Sequence, residues 1–184
     1  MISIDEYKQN PCEALSIPYW KATDIIIPDN IKIIHNKNYD ESLLKEYTDK
    51  QFFRLIHRLN DIPDFSNDNF TYKILSKEKT NEVADMINAS YSHTDVFVSA
   101  DYIKGLTETK VYFPELWIGA FDCDKLVGSI ICDLDTEISE EIIEWLQVLP
   151  EYRGKGIASV LVCKALNILK INANFATVSG ECDN

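Results

Sequence analysis

Hydrophobic and polar positions alternate regularly in the second half of the chain and irregularly in the first. Apolar residues recur at three- to four-residue steps through 156–170, which predicts an amphipathic helix. Shorter segments over 117–121, 126–132 and 140–148 predict strands, and the polar turn at 122–125 makes the first two a hairpin. The second half of the chain therefore predicts an ordered domain that mixes strands and helices.

The other elements predicted in this half complete a β-α-α-β-β-β-α-β order, which is typical of an α/β sheet protein. They are a strand over 70–75, a helix from the potential N-cap Ser76 to Ser90, a short helix from Ser99 or Asp101 to Thr109, and a strand over 175–180.

The first 69 residues predict only short elements. These are a helix capped by the Ser3–Glu6 segment, a strand over Ile31–His35, a helix over Asp40–Tyr47, a strand over Gln51–Leu59 and a polar linker over Asp61–Asn69. We therefore predict two regions, an N-terminal extension over 1–69 and a main domain over 70–184.

Composition and charge narrow the class of protein. A hydrophobic fraction of 46% is that of a globular protein, and a net charge of -12 argues against nucleic acid as the partner. The five cysteines show no CxxC pair, so neither a disulfide framework nor a metal site is predicted, and Cys163 and Cys182 are expected to be buried. The N-terminus lacks a signal peptide and no apolar run could span a bilayer, so we expect a cytoplasmic protein.

The segment Arg153-Gly154-Lys155-Gly156 lies between a predicted strand and the long helix. Glycines let main-chain N–H groups approach an anion, and the first turn of a helix offers unpaired N–H donors. This favours a pyrophosphate site over a solvated turn. A P-loop is excluded because Gly156 stands where Ser or Thr is needed, and a dinucleotide fingerprint fits poorly because only about 25 residues follow.

Arg153-Gly154-Lys155-Gly156-Ile157-Ala158 matches the pattern [Q/R]-x-x-G-x-[G/A], and the preceding Leu146-x-Val148-x-Pro150 matches the strand before it. Both resemble the GNAT family of N-acetyltransferases over roughly residues 70–184. The resemblance implies an α/β fold with a mixed, mainly antiparallel central sheet flanked by helices. The richness in Ile, Asn and Lys is associated with bacterial proteins.

The resemblance also implies acetyl-CoA as co-substrate and direct attack by a primary amine, without an acyl-enzyme. Main-chain groups of the strand would hold the pantetheine arm, and the Val148 N–H would polarise the thioester carbonyl. The implied cofactor-binding residues are Leu146, Gln147, Val148, Arg153, Gly154, Lys155, Gly156, Ile157, Ala158 and Ser159.

A base is needed because the attacking amine must be neutral. Glu144 is the first candidate, since it precedes Val148 by four residues on the same strand and burial would raise its pKa. Glu141, Asp133 and Asp135 are weaker candidates. Tyr91, Ser92 and His93 follow the first helix, where family members often build the acceptor pocket.

The resemblance stops at the end of the chain. Family members continue with a helix and two strands, and that helix usually supplies a Tyr that protonates the CoA thiolate, whereas no Tyr follows Tyr152 here. The interpretation is a C-terminally shortened domain with an open sheet edge, which favours a homodimer. Alternatively, the first 70 residues cover the gap.

Two functions remain open at this stage, together with a weaker third. The first is an N-acetyltransferase for a small-molecule or peptide amine. The second is a degenerate or truncated GNAT domain that binds acyl-CoA without efficient turnover. The third is a nucleotide-binding oxidoreductase fragment, which would require affinity for NAD(P).

Overall fold

A computed structural model describes residues 4–12 and 29–182. Its elements are α1 (Ile4–Gln9), β1 (Phe52–His57), β2 (Thr71–Ile74), α2 (Thr80–Ser90), α3 (Ala100–Leu106), β3 (Tyr112–Asp122), β4 (Lys125–Asp135), β5 (Glu140–Val148), α4 (Ile157–Leu169) and β6 (Phe175–Glu181). None of the helices in the described ranges is both long and apolar enough to cross a membrane.

One six-stranded sheet organises the molecule, in the order β1-β6-β5-β4-β3-β2. All neighbouring strands run antiparallel except β5 and β6, which are parallel. Helix α4 packs against β3, β4 and β5, while α2 packs against α3 and reaches β4 and β5. The predicted mixed, mainly antiparallel sheet flanked by helices is thus confirmed.

The prediction of an open edge at the last strand is wrong. β1 pairs antiparallel with β6 from Phe52 opposite Glu181 to His57 opposite Ala176. The N-terminal region therefore supplies the strand that covers this edge, which is the alternative that the sequence left open. A strand so far away in sequence can find this partner only through tertiary packing.

A buried polar network fastens the N-terminal elements to the sheet. The Tyr7 hydroxyl donates to both carboxylate oxygens of Glu140, at 2.7 and 2.8 Å, and Arg54 Nη2 lies 3.0 Å from Glu140 Oε1. Thr177 donates to the same oxygen. Burial, then the adjacent Glu140 carboxylate, raises the pKa of Tyr7, so its hydroxyl remains a donor. Through Glu140, α1 and β1 are joined to β5.

Two other predictions for the N-terminal region fail. Residues 31–35 are irregular, and Ile31 and Ile34 are exposed, so the apolar run meets no strand or core in the described residues. The helix predicted over 40–47 is a 3-10 turn at Glu41–Lys45, capped by the Asp40 carboxylate. Its leucines have no buried surface to pack against, and an amphipathic α-helix needs one. Ser3, the predicted cap of α1, lies outside the described residues.

Candidate functional site

Strands β5 and β6 pair only near their beginnings. The parallel ladder runs from Glu140 opposite Phe175 to Ile143 opposite Val178. β5 then continues to Val148, while β6 is held by β1 on its other side. Within the described residues, the second half of β5 thus has one edge that no strand covers.

Polar groups of the main chain face this open edge. Val148 lies opposite Gly128 of β4, and the Leu149 N–H donates to Val127 O at 2.9 Å. This is the pattern of a non-hydrogen-bonded antiparallel pair, in which the N–H and C=O of the paired residue point away from the partner strand. Val148, and Leu146 two residues before it, therefore direct their N–H and C=O groups toward the open edge.

Glu144 is the extra residue of a β-bulge in β5. Ile143 lies opposite Cys132 and Trp145 lies opposite Ile131, which leaves Glu144 without a partner in β4. Bulges re-aim side chains and are frequent beside active sites. The bulge occurs where β5 and β6 separate, so the candidate base lies on β5 just where its edge becomes uncovered.

Burial raises the pKa of Glu144 and so makes it an unusually weak acid. Its Oε1 is buried without a hydrogen-bond partner. Desolvation, and then the charge of Asp133, raise the pKa of Glu144 to about 8, although Arg54 lowers it. At about 3.3 Å per residue, Glu144 lies roughly 7 Å along the strand from Leu146 and roughly 13 Å from Val148. A proton could pass between Glu144 and a group at Leu146 through one water.

The loop after β5 has the conformation that its glycines predict. Gly154 and Gly156 have φ of 74° and 78°, in the left-handed region. An added Cβ at either position would meet nothing within 4 Å, so the space beside the loop is open. Gly156 is the N-cap of α4, whose first turn contains no acidic residue. The unpaired N–H groups there form a site for an anion.

The open edge of β5 and this loop line one cleft of about 490 Å³. Its lining residues are Tyr91, Leu146, Gln147, Val148, Tyr152, Arg153, Gly154, Gly156, Ile157, Ala158 and Ser159. Nine of them are predicted site residues. Lys155 is not in the lining, because its ammonium lies over the Tyr152 ring, 4.5 Å from the centroid. Tyr152 is a wall that the sequence pattern did not single out.

The side chains of Gln147 and Arg153 both form hydrogen bonds within the protein. The Gln147 amide nitrogen donates to Ser129 Oγ in the buried sheet. The Arg153 guanidinium donates to main-chain carbonyls of Val148 and Ser90, on β5 and α2. Both side chains therefore bind protein groups, and neither points freely at a ligand.

The weaker candidate bases differ in their surroundings. Burial raises the pKa of Asp133 to about 7, and its Oδ1 has no partner. Burial likewise raises the pKa of Glu141 to about 7, but Glu141 is opposite Leu134, so it lies on the other face of the sheet from Asp133. Asp135 accepts from the Glu137 and Ile138 N–H groups and so holds a turn.

Three further residues named from the sequence do not line the cleft. His93 is exposed in the turn that follows α2. Cys163 is buried, as predicted, and burial raises its pKa. Cys182 is exposed, so the prediction that it is a buried residue is wrong. It lies beyond β6, where the Cys182 N–H donates to Gln51 O at the edge of the sheet.

Comparison with known proteins decides the family. The model described as "Acetyltransferase (GNAT) family" matches residues 69–180, which is more than half of the chain.

The chain belongs to the GNAT acetyltransferase family.

Individual relatives of this GNAT chain are more distant. N-alpha-acetyltransferase 30 of Schizosaccharomyces pombe is 34% identical over 61 residues, covering 32% of this chain and 41% of the relative. A GCN5-related N-acetyltransferase from Sphaerobacter thermophilus superposes with a TM-score of 0.59 at 14% identity, covering 71% of this chain and 42% of that one. Ard1 from Thermoplasma volcanium gives a TM-score of 0.47 at 17% identity, covering 55% and 64%. The chain thus spans about two fifths of the length of the first two proteins.

Proposed function

We propose that this GNAT chain transfers an acetyl group from acetyl-CoA to a primary amine. The proposal rests on two features that line the same cleft. The Leu146 and Val148 N–H groups face an uncovered strand edge, and the glycine loop leads into the N-terminus of α4. A pantetheine amide can pair with the first feature, and a pyrophosphate suits the second.

Each group has a task in the proposed reaction. Glu144 takes a proton from the ammonium of the acceptor through a water, which leaves the nitrogen lone pair free to attack the thioester carbonyl carbon. A new C–N bond forms, and a main-chain N–H of β5 stabilises the oxyanion. We assign this donor to Leu146 in preference to Val148, because Leu146 is nearer to Glu144 along the strand. The attacking nitrogen then releases its second proton, and the C–S bond breaks to leave a neutral amide and the CoA thiolate.

The departing thiolate needs a proton, and the cleft contains two tyrosines. The Tyr152 hydroxyl donates to Asp122 Oδ2 at 2.9 Å and is therefore engaged. Tyr91 packs edge-on against Trp145, the neighbour of Glu144, with 6.1 Å between ring centroids. We assign this protonation to Tyr91, whose hydroxyl donates to the thiolate and recovers, through water, the proton that the nitrogen released.

Buried acidic groups on the strands next to the cleft favour a cationic amine as the acceptor. Buried carboxyl oxygens of Asp133 and Glu144 have no hydrogen-bond partner in the protein, and an approaching ammonium would supply N–H donors to them. The likeness to an N-alpha-acetyltransferase favours the α-amino group of a peptide as the acceptor. Small amines and lysine ε-amines are the competing acceptors.

Two measurements test the proposal. Calorimetry measures the binding of acetyl-CoA, and turnover is then measured on peptides with free α-amines, on α-acetylated lysine peptides and on small amines. Released CoA is quantified chromatographically, because the exposed Cys123 and Cys182 would consume a thiol reagent. Binding with turnover supports the transferase.

The competing functions predict other outcomes. Binding of acetyl-CoA without turnover on any amine supports a GNAT domain that only binds acyl-CoA. Absence of binding rejects both readings. Affinity for NAD(P) would instead support the oxidoreductase fragment.

A further inference from the structure

The Arg153 side chain joins two carbonyls from separate elements. Nε donates to Val148 O at 3.2 Å, and Nη2 donates to Ser90 O at 2.7 Å. Val148 is the last residue of β5, and Ser90 is the last residue of α2. We call this pair of contacts the Arg153 latch. Both Nε and Nη2 of Arg153 are therefore directed at protein carbonyls.

The end of α2 has a physical need for this contact. The last carbonyls of a helix lack intrahelical partners and carry partial negative charge. The last turn of α2 contains no basic residue, and Tyr91 follows it in place of a glycine. Ser90 is only 4% exposed, so water reaches its carbonyl poorly. Arg153 supplies both a donor and a positive charge from across the cleft.

The other end of the latch fixes the peptide that follows Val148. The Leu149 N–H of that peptide donates to Val127 O at 2.9 Å, and Arg153 holds its carbonyl from the opposite side. With this peptide held at both ends, the end of β5 is fixed, and the preceding Val148 N–H at the open edge is fixed with it. The latch also fixes Ser90, whose neighbour Tyr91 forms the facing wall.

We propose that Arg153 is a positioning residue that closes α2 onto β5, and that it is not a ligand of the pyrophosphate. The phosphates are then held by the main chain of the glycine loop and by the first turn of α4, and the exposed Lys155 adds positive charge to the loop. This inference rests on the proposed function for the identity of the ligand, although the latch itself is a property of the free protein.

Two ligands distinguish a latch from a phosphate contact, namely CoA and pantetheine, which has no phosphate. Arg153→Ala should weaken the binding of both by the same factor, about tenfold, because it loosens the walls that both contact. Lys155→Ala, the matched control, should weaken CoA and leave pantetheine unchanged. Affinities are measured by calorimetry, with displacement titrations for pantetheine. A loss confined to CoA in Arg153→Ala would overturn the inference.

Hydrogen exchange gives a readout that needs no ligand. The Tyr91 N–H donates to Ile87 O at 3.1 Å in the last turn of α2. Amides of this turn should exchange faster in Arg153→Ala, whereas Lys155→Ala should leave them unchanged. Arg153→Lys keeps the charge but cannot span both carbonyls, so it should also speed exchange. Unchanged exchange in Arg153→Ala and Arg153→Lys refutes the latch even if the protein binds no CoA, whereas failure of the wild type to bind CoA refutes only the proposed function.

Discussion

Arg54 and Glu140 form a buried ion pair between an N-terminal strand and a central strand, with 3.0 Å between Nη2 and Oε1. The two residues are 86 positions apart in the sequence. Their side chains are 8% and 0% exposed. The pair ties the region before the GNAT match to the strand that carries Glu144, so the N-terminal region is part of the working structure.

Replacing Arg54 should destabilise the whole domain. In Arg54→Met the buried Glu140 carboxylate loses the Arg54 guanidinium, which costs about 3 to 5 kcal/mol in the free energy of unfolding. Urea titration followed by circular dichroism measures this. Lys50→Met is the control, because Lys50, just before β1, forms an exposed pair with Glu181 of β6, and it should leave the unfolding midpoint unchanged. Equal midpoints for the two variants would contradict the anchoring role.

Replacing Glu144 should separate catalysis from binding. Glu144→Gln cannot accept a proton, so we expect kcat to fall about 100-fold while the affinity for acetyl-CoA stays within twofold. Calorimetry and steady-state rates on the best acceptor give the two values. An unchanged kcat would assign the base elsewhere, and Asp133 would be the next candidate.

The dependence of the rate on pH should identify the same residue. Glu144 acts as a base only when ionised, so kcat/KM should rise with pH and level off above the pKa of about 8. Asp133 raises that pKa, so Asp133→Asn should move the rising limb to lower pH. Both proteins are measured on one acceptor, because the ionisation of the amine then cancels in the comparison. If the pH profiles of the wild type and Asp133→Asn coincide, Asp133 does not raise the pKa of Glu144.

Stability should also depend on pH in a direction set by the buried acids. Burial raises the pKa values of Asp133 and Glu141 to about 7 and that of Glu144 to about 8, so the folded state retains protons that the unfolded chain has released. These groups therefore make the free energy of unfolding fall as pH rises from about 4 to about 8.

Glu141 offers a clean test of this dependence. Glu141→Gln removes one such proton and should flatten the slope by up to about 1.4 kcal/mol per pH unit. Denaturant titrations at a series of pH values measure the slope, and the wild type is the reference. If the variant and the wild type have parallel profiles, Glu141 is already ionised in the folded protein.

Gly156 provides a test of the anion site. Gly156→Ala forces a side chain into the left-handed region, which costs about 1 to 2 kcal/mol and turns the loop amides away from the phosphates. We expect lower stability and weaker CoA binding. Gly105→Ala is the matched control, since Gly105 lies within α3 with nothing within 4 Å of an added Cβ, and it should be neutral or slightly stabilising. If Gly156→Ala binds CoA as tightly as the wild type, CoA binding does not require the left-handed backbone at position 156.

Structural features that depend on local patterns can be predicted from the sequence. The predicted strand over 140–148 has the same bounds in the structure, because short apolar segments between turns encode such strands. The conformation of the glycine loop was equally accessible, since Gly154 and Gly156 permit the left-handed backbone that the motif requires.

Contacts between distant residues were not accessible from the sequence. The apolar run at 31–35 reads like the strand at 52–57, yet only the latter reaches a partner. The sequence neighbours of Arg153 indicate an anion site, but they do not indicate its contact with Ser90, which lies 63 residues away. Local propensity cannot show which carbonyl a long side chain will reach.

The pairing of β1 with β6 has a consequence for how the protein is made. Phe52, Phe53 and Leu55 of β1 leave the ribosome long before residues 175–181, against which β1 pairs. Translation at about 5 to 20 residues per second therefore leaves this apolar strand without its partner for roughly 6 to 25 seconds. Pairing across such a sequence separation slows folding, because β1 must wait for the last described strand to be made.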